Sequence, residues 1–105
     1  MLRLFVALGF LFSTALAGAP PSVAADAAKG TQLARQWCAN CHVIGAAPQP
    51  GTIQQGPPGF RAVAQGGMTH DQLRAFLSNP HGAMPNLALT RSEIDDLIAY
   101  IETLR

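Results

Sequence analysis

Towards its C-terminal end the chain falls into a regular pattern. Ile94, Leu97, Ile98, Ile101 and Leu104 recur at the i, i+3, i+4, i+7 spacing, which lines one face of an α-helix. Thr90-Arg91-Ser92-Glu93 stands just ahead of that run and has the form of a capping box. Thr69-His70-Asp71-Gln72 repeats the device and opens a helix to Ser78, with Leu73, Phe76 and Leu77 on its buried face and Pro80 to end it. Phe60 to Ala64 reads as a short helix stopped by Gly66-Gly67. Asp26 to Trp37 is rich in Ala, Leu, Gln and Arg, with Asp26 placed to cap it. Gly30 is costly inside such a helix unless another helix crosses closely there. No stretch alternates with period two, so the expected fold is all-α.

The intervening segments differ in kind. Val43 to Gly59 holds four prolines and four glycines with no helical period, and a loop of that length in a small domain usually wraps something. Asn79 to Leu87 is a second irregular stretch, carrying His81, Met84 and Pro85. The first residues are different again. Met1-Leu2-Arg3 is followed by an apolar run from Leu4 to Phe12 and then by small residues, the layout of a cleavable secretory signal peptide. The run to Leu16 falls short of the ~20 residues of a spanning helix. Cleavage after Ala25 (Val23-Ala24-Ala25) is favoured over Ala17, so residues 1–25 are read as the signal peptide and 26–105 as one domain.

Charge changes the picture little. Seven Lys and Arg stand against six Asp and Glu, and loss of Arg3 with the leader balances the two signs. Lys29 is the single lysine, so nothing points to nucleic acid or to an anionic membrane. A domain this small commonly needs a staple or a metal to supplement its core.

Cys38-Ala39-Asn40-Cys41-His42 supplies one. C-x-x-C-H is the attachment pattern of a c-type haem. Two thiols three positions apart share one side of a helical turn and can add to the two vinyl groups on one haem edge. The next residue, His42, can then offer its imidazole to iron. A redox dithiol is the competing reading, but no βαβ context accompanies it. A zinc site would need two further ligands, and His70 and His81 lack finger spacing. Export into an oxidising compartment fits as well, since these two cysteines are the only ones.

The second axial ligand has four candidates: Met84, Met68, His70 and His81. Met84 is favoured because it lies between two capped helices in an irregular segment fixed by Pro85. Met68 beside Gly66-Gly67 reads better as a gap-filler at a helix start. A thioether raises the potential relative to a second imidazole, and six-coordinate iron has no open position for substrate.

With these motifs in hand, the sequence resembles the small monohaem class I cytochromes c. The resemblance runs from Gly30 to Leu104 and rests on Gly30 eight residues before Cys38, the Cys38–His42 motif, Gly56-Pro57-Pro58-Gly59-Phe60, Met84-Pro85, and Leu97-Ile98-Ala99-Tyr100-Ile101. It implies a fold of short helices around one covalent haem c, the first and last helices crossing with Gly30 against Leu97 and Tyr100. It also implies that a proline carbonyl, Pro58 by spacing with Pro57 as the alternative, orients His42. Ala34 stands where many members have an aromatic, and Leu33 or Trp37 is expected to replace that packing, with Trp37 in the core or at the haem edge. Arg61 reads as a solvated arginine rather than a propionate partner.

The expected function is an exported periplasmic carrier, not an enzyme, that passes single electrons between redox partner proteins. The alternative is a haem with a labile Met84 that serves a gas- or peroxide-reactive sensor or an enzyme subunit. Monomer or subunit of a larger periplasmic complex are both open, and docking is expected to be weakly steered.

Overall fold

The computed structural model describes residues 18–19, 23–46, 56–79 and 82–105. Residues 1–17, 20–22 and 47–55, with Pro80 and His81, lie outside them, and so do most of the expected signal peptide and much of the expected proline-rich loop. Four α-helices, α1 Ala27–Leu33, α2 Phe60–Gln65, α3 His70–Ser78 and α4 Arg91–Glu102, make the frame, with no strand among the described residues. No described helix is long and apolar enough to cross a membrane.

Three of the four helices start on a side-chain cap, α2 being the exception. The Asp26 carboxylate accepts from the Ala28 and Lys29 amides at 2.9 and 3.2 Å, which satisfies donors that the first turn leaves open. Thr69 and Gln72 exchange bonds at the head of α3, with Thr69 N–H donating to Gln72 Oε1 at 2.8 Å and Gln72 N–H to Thr69 Oγ1 at 3.2 Å. Thr90 and Glu93 do the same for α4 at 2.8 and 3.2 Å. Both capping boxes are therefore complete.

The sequence reading carried one α-helix from Asp26 to Trp37, and this needs correction. Helix α1 ends at Leu33 and continues as a π-helical turn over Ala34–Cys38, with Ala39 N–H donating to the Ala34 carbonyl at 3.0 Å. The wider turn accommodates an extra residue and so displaces later positions by about 100° from a continuous α-helix. Cys38 consequently arrives buried, whereas Trp37 stays 49% exposed. Trp37 is thus not core packing. Leu33, half-buried, packs beside the fully enclosed Ala34.

Helix α1 crosses α4 at Gly30. A Cβ there would collide with the Asp96 carbonyl oxygen and lie 2.6 Å from its carbon and 2.9 Å from Tyr100 Cβ. The close approach is as expected, but Asp96, not Leu97, meets Gly30 beside Tyr100. Leu97 instead joins Ala34, Cys38, Ile44, Phe60, Ala64 and Ile101 in the main apolar cluster. Leu73, Ile94 and Ile98 form a second cluster between α3 and α4. Phe76, assigned by spacing to the buried face of α3, is 38% exposed. Leu73 and Leu77 are the members of that face that reach the core clusters. Arg74 adds a polar tie from α3 to α4 through Asp95, Nε to Oδ1 at 2.8 Å.

Candidate functional site

The π-helical turn delivers Cys38 at its last position, and the chain then folds back tightly. The Cys38 carbonyl accepts the N–H groups of both Cys41 and His42, at 3.1 and 2.9 Å. One backbone oxygen therefore holds the three chemically important residues in a single turn. Both thiols are free, Cys38 buried and Cys41 exposed. Burial pushes the Cys38 thiol above its ordinary value, because the thiolate loses hydration.

His42 is half-buried, and its Nδ1 lies 2.8 Å from the Pro58 carbonyl oxygen. A carbonyl can only accept, so Nδ1 carries the proton. In the neutral ring Nε2 is then the nitrogen whose lone pair can bind a metal. The ring also rests against Phe60, centroids 5.7 Å apart, and Phe60 against Tyr100 at 6.3 Å. Two hydrogen bonds fix the strand of chain that leaves His42. Phe60 N–H donates to the Val43 carbonyl at 2.9 Å, and Tyr100 Oη–H donates to the Ile44 carbonyl at 2.8 Å. Sequence reasoning gave Tyr100 only a place against Gly30. A side chain-to-backbone bond between residues 56 positions apart has no local signature. Arg61, exposed, donates to the Ala46 carbonyl at 3.2 Å.

The remaining candidates take different places in the fold. Met68 packs against the Leu73, Ile94 and Ile98 cluster, as a gap-filler does. His70 is the first residue of α3, and His81 lies outside the described residues. Met84, half-buried, begins the irregular segment that leads to α4. Further along it, Ala88 has a φ of 50° and gives its N–H to Asn86 Oδ1 at 2.9 Å. Among the described residues no group of three or more His, Cys, Asp or Glu could hold a metal ion, so a zinc reading lacks its ligands there. A free imidazole nitrogen beside two unpaired thiols on one turn instead fits a haem.

Residues 25–101 match the family described as cytochrome c oxidase, cbb3-type, subunit III. The chain is also 40% identical over 85 residues to cytochrome c-552 of Bradyrhizobium diazoefficiens, a span covering 80% of each protein. This chain is a monohaem class I cytochrome c. No solved structure matches it. As a cytochrome c it carries one covalently bound haem c with iron, and its work is haem-based electron transfer with redox partners. Its likeness to cytochrome c-552 favours an electron carrier over an enzyme.

Proposed function

We propose that this cytochrome c is exported, loses residues 1–25 and shuttles single electrons in the periplasm between a donor and an acceptor protein. Cys38 and Cys41 would tether the haem by thioether bonds, and His42 and Met84 would ligate its iron. The haem supplies a one-electron couple between Fe(II) and Fe(III). His42 Nδ1 at 2.8 Å from the Pro58 carbonyl is the observation that carries this reading: it leaves Nε2 available and fixes the direction in which it points. Met84, placed after a glycine-containing turn and before Pro85, contributes a soft sulfur that favours the reduced iron and raises the potential. With His42 and Met84 both bound, the iron would have no position for a substrate, which suits a carrier.

The test is a reduced-minus-oxidised spectrum with potentiometric titration of the exported holoprotein, followed by acidified organic extraction. Colour that stays with the protein and a low-spin His/Met spectrum support the reading. Extraction of the pigment into the solvent means no thioether attachment. Rapid carbon monoxide binding at neutral pH means a labile or missing Met84 bond, and the carrier role then gives way to a sensor or enzyme subunit.

A further inference from the structure

Asp96 is the one charged side chain among the buried described residues, 7% exposed where α4 meets α1. Its Oδ1 accepts the backbone N–H of Asp26 at 2.7 Å. One neutral amide is thin compensation for a carboxylate withdrawn from water. Among the described residues no Lys or Arg is bonded to it. The residues just before this nitrogen are the reverse of buried. Val23, Ala24 and Ala25 are exposed and without regular structure, with Val23 at 89%. Val23 and Ala25 stand third and first before the Ala25–Asp26 bond, small residues in the places a leader peptidase reads.

We propose that leader removal turns the Asp26 nitrogen into an α-ammonium that pairs with the buried Asp96 carboxylate and so completes the α1–α4 junction. The proposal rests on cleavage after Ala25. Water adds across the bond between the Ala25 carbonyl carbon and the Asp26 nitrogen under a leader peptidase. Ala25 departs with the leader as a carboxylate, and the freed amine takes up a proton. The same two atoms, a neutral amide donating to a carboxylate in the unprocessed chain, then carry opposite charges as a hydrogen-bonded ion pair. Asp26 sits at the α1 N-cap on either side of that event.

The other charged groups at this crossing are already engaged or solvated. The Asp26 carboxylate faces the Ala28 and Lys29 amides, and Lys29 is exposed. Asp95 is held by Arg74, Glu93 by the Thr90 amide, and the Tyr100 hydroxyl by Ile44. A free α-amino group titrates at about 7.7–8.0, and an anionic partner raises that value in the folded state. The pair's stability is therefore complete below about pH 7.7 and is lost as pH rises through the raised folded value. Each unit of elevation is about tenfold in the folding equilibrium constant.

The experiment uses exported holoprotein kept reduced. Its first residue is read by intact mass and N-terminal sequencing, and urea unfolding is followed from pH 6 to pH 10. Four chains are compared: wild type, Asp96→Asn, a chain whose altered leader junction leaves Gly-Ser ahead of Asp26, and the combination. The expected wild type begins at Asp26 and loses about tenfold or more in its folding constant across that range, beyond any loss in the other three. The extension and Asp96→Asn are expected to be non-additive. Should the wild type begin at Asp26 yet share the pH profile of the extended chain, the ion pair is overturned while the cleavage site stands. A mature mass beginning at Gly18 overturns both. If Asp96→Asn does not fold, wild type against the extended chain still decides.

Discussion

The Pro58 carbonyl oxygen and His42 Nδ1 lie 2.8 Å apart although sixteen residues separate them in sequence. The bond joins the Cys38–His42 turn to the start of α2 and sets the tilt of the imidazole. With His42 as the proposed iron ligand, a ring proton drawn towards oxygen makes Nε2 the stronger donor and favours ferric iron. Pro58→Ala keeps the carbonyl but releases the fixed φ that aims it. The reduction potential is expected to rise, and stability to fall by about 0.4–1 kcal/mol through the looser unfolded chain. Potentiometry beside urea unfolding checks this. A potential that does not move would show that the carbonyl does not tune the site.

Met84 and Met68 are both half-buried, yet they are expected to fail differently. Met84→Ala should abolish the sulfur-to-iron charge-transfer band and lower the potential, since a thioether ligand is what raises it. Met68→Ala should leave both intact. It should instead cost about 1–2 kcal/mol, less than the ~2–5 of a fully buried Met, because it lines the Leu73, Ile94 and Ile98 cluster. The opposite pattern would exchange their roles.

Why parts of the fold are legible in sequence, and others not, follows from the range of each interaction. Thr69 with Gln72 and Thr90 with Glu93 satisfy each other within one turn, so the helix starts can be read directly. Cys38, Cys41 and His42 lie within five consecutive residues, so their pattern can be read locally. The π-helical turn at Ala34–Cys38 was hidden because every residue in ARQWC suits an ordinary helix in isolation. What surrounds it in space decides where Trp37 and Cys38 point. Phe76, 38% exposed, differs for a related reason: spacing defines a face, and the packing around that face decides how deeply each member is buried. The Asp96 bond to Asp26 and the Tyr100 bond to Ile44 span 70 and 56 positions, beyond any local pattern.

Tyr100→Phe isolates one of those long-range bonds. The ring remains to pack against Phe60, 6.3 Å away between centroids, but the buried Ile44 residue loses the donor to its carbonyl. A loss of about 1–2 kcal/mol is expected, between the net worth of a hydrogen bond and the cost of an unsatisfied carbonyl. Hydrogen exchange should quicken at Ile44 and its neighbours before it does in α3. Unchanged stability with unchanged exchange would mean that the hydroxyl does not hold the segment leaving His42.

Gly30→Ala tests the crossing itself, and two effects of opposite sign compete. In an open helix alanine is better than glycine by about 1 kcal/mol. Here the added Cβ would meet the Asp96 carbonyl, with its carbon at 2.6 Å and Tyr100 Cβ at 2.9 Å. The obstacle is α4 backbone, which cannot rotate away as a side chain does, so the helices must separate. Separation would loosen Asp26 from Asp96 and thin the packing of Leu97 and Ile101 against Ala34. Overpacking of this kind costs about 1–3 kcal/mol, and with the polar contact also disturbed the balance is expected to be destabilising by at least about 2 kcal/mol. Urea unfolding of the holoprotein supplies the measurement. Gained stability would show that α1 and α4 stand further apart than Gly30 requires, and the junction would then not depend on the absence of a side chain there.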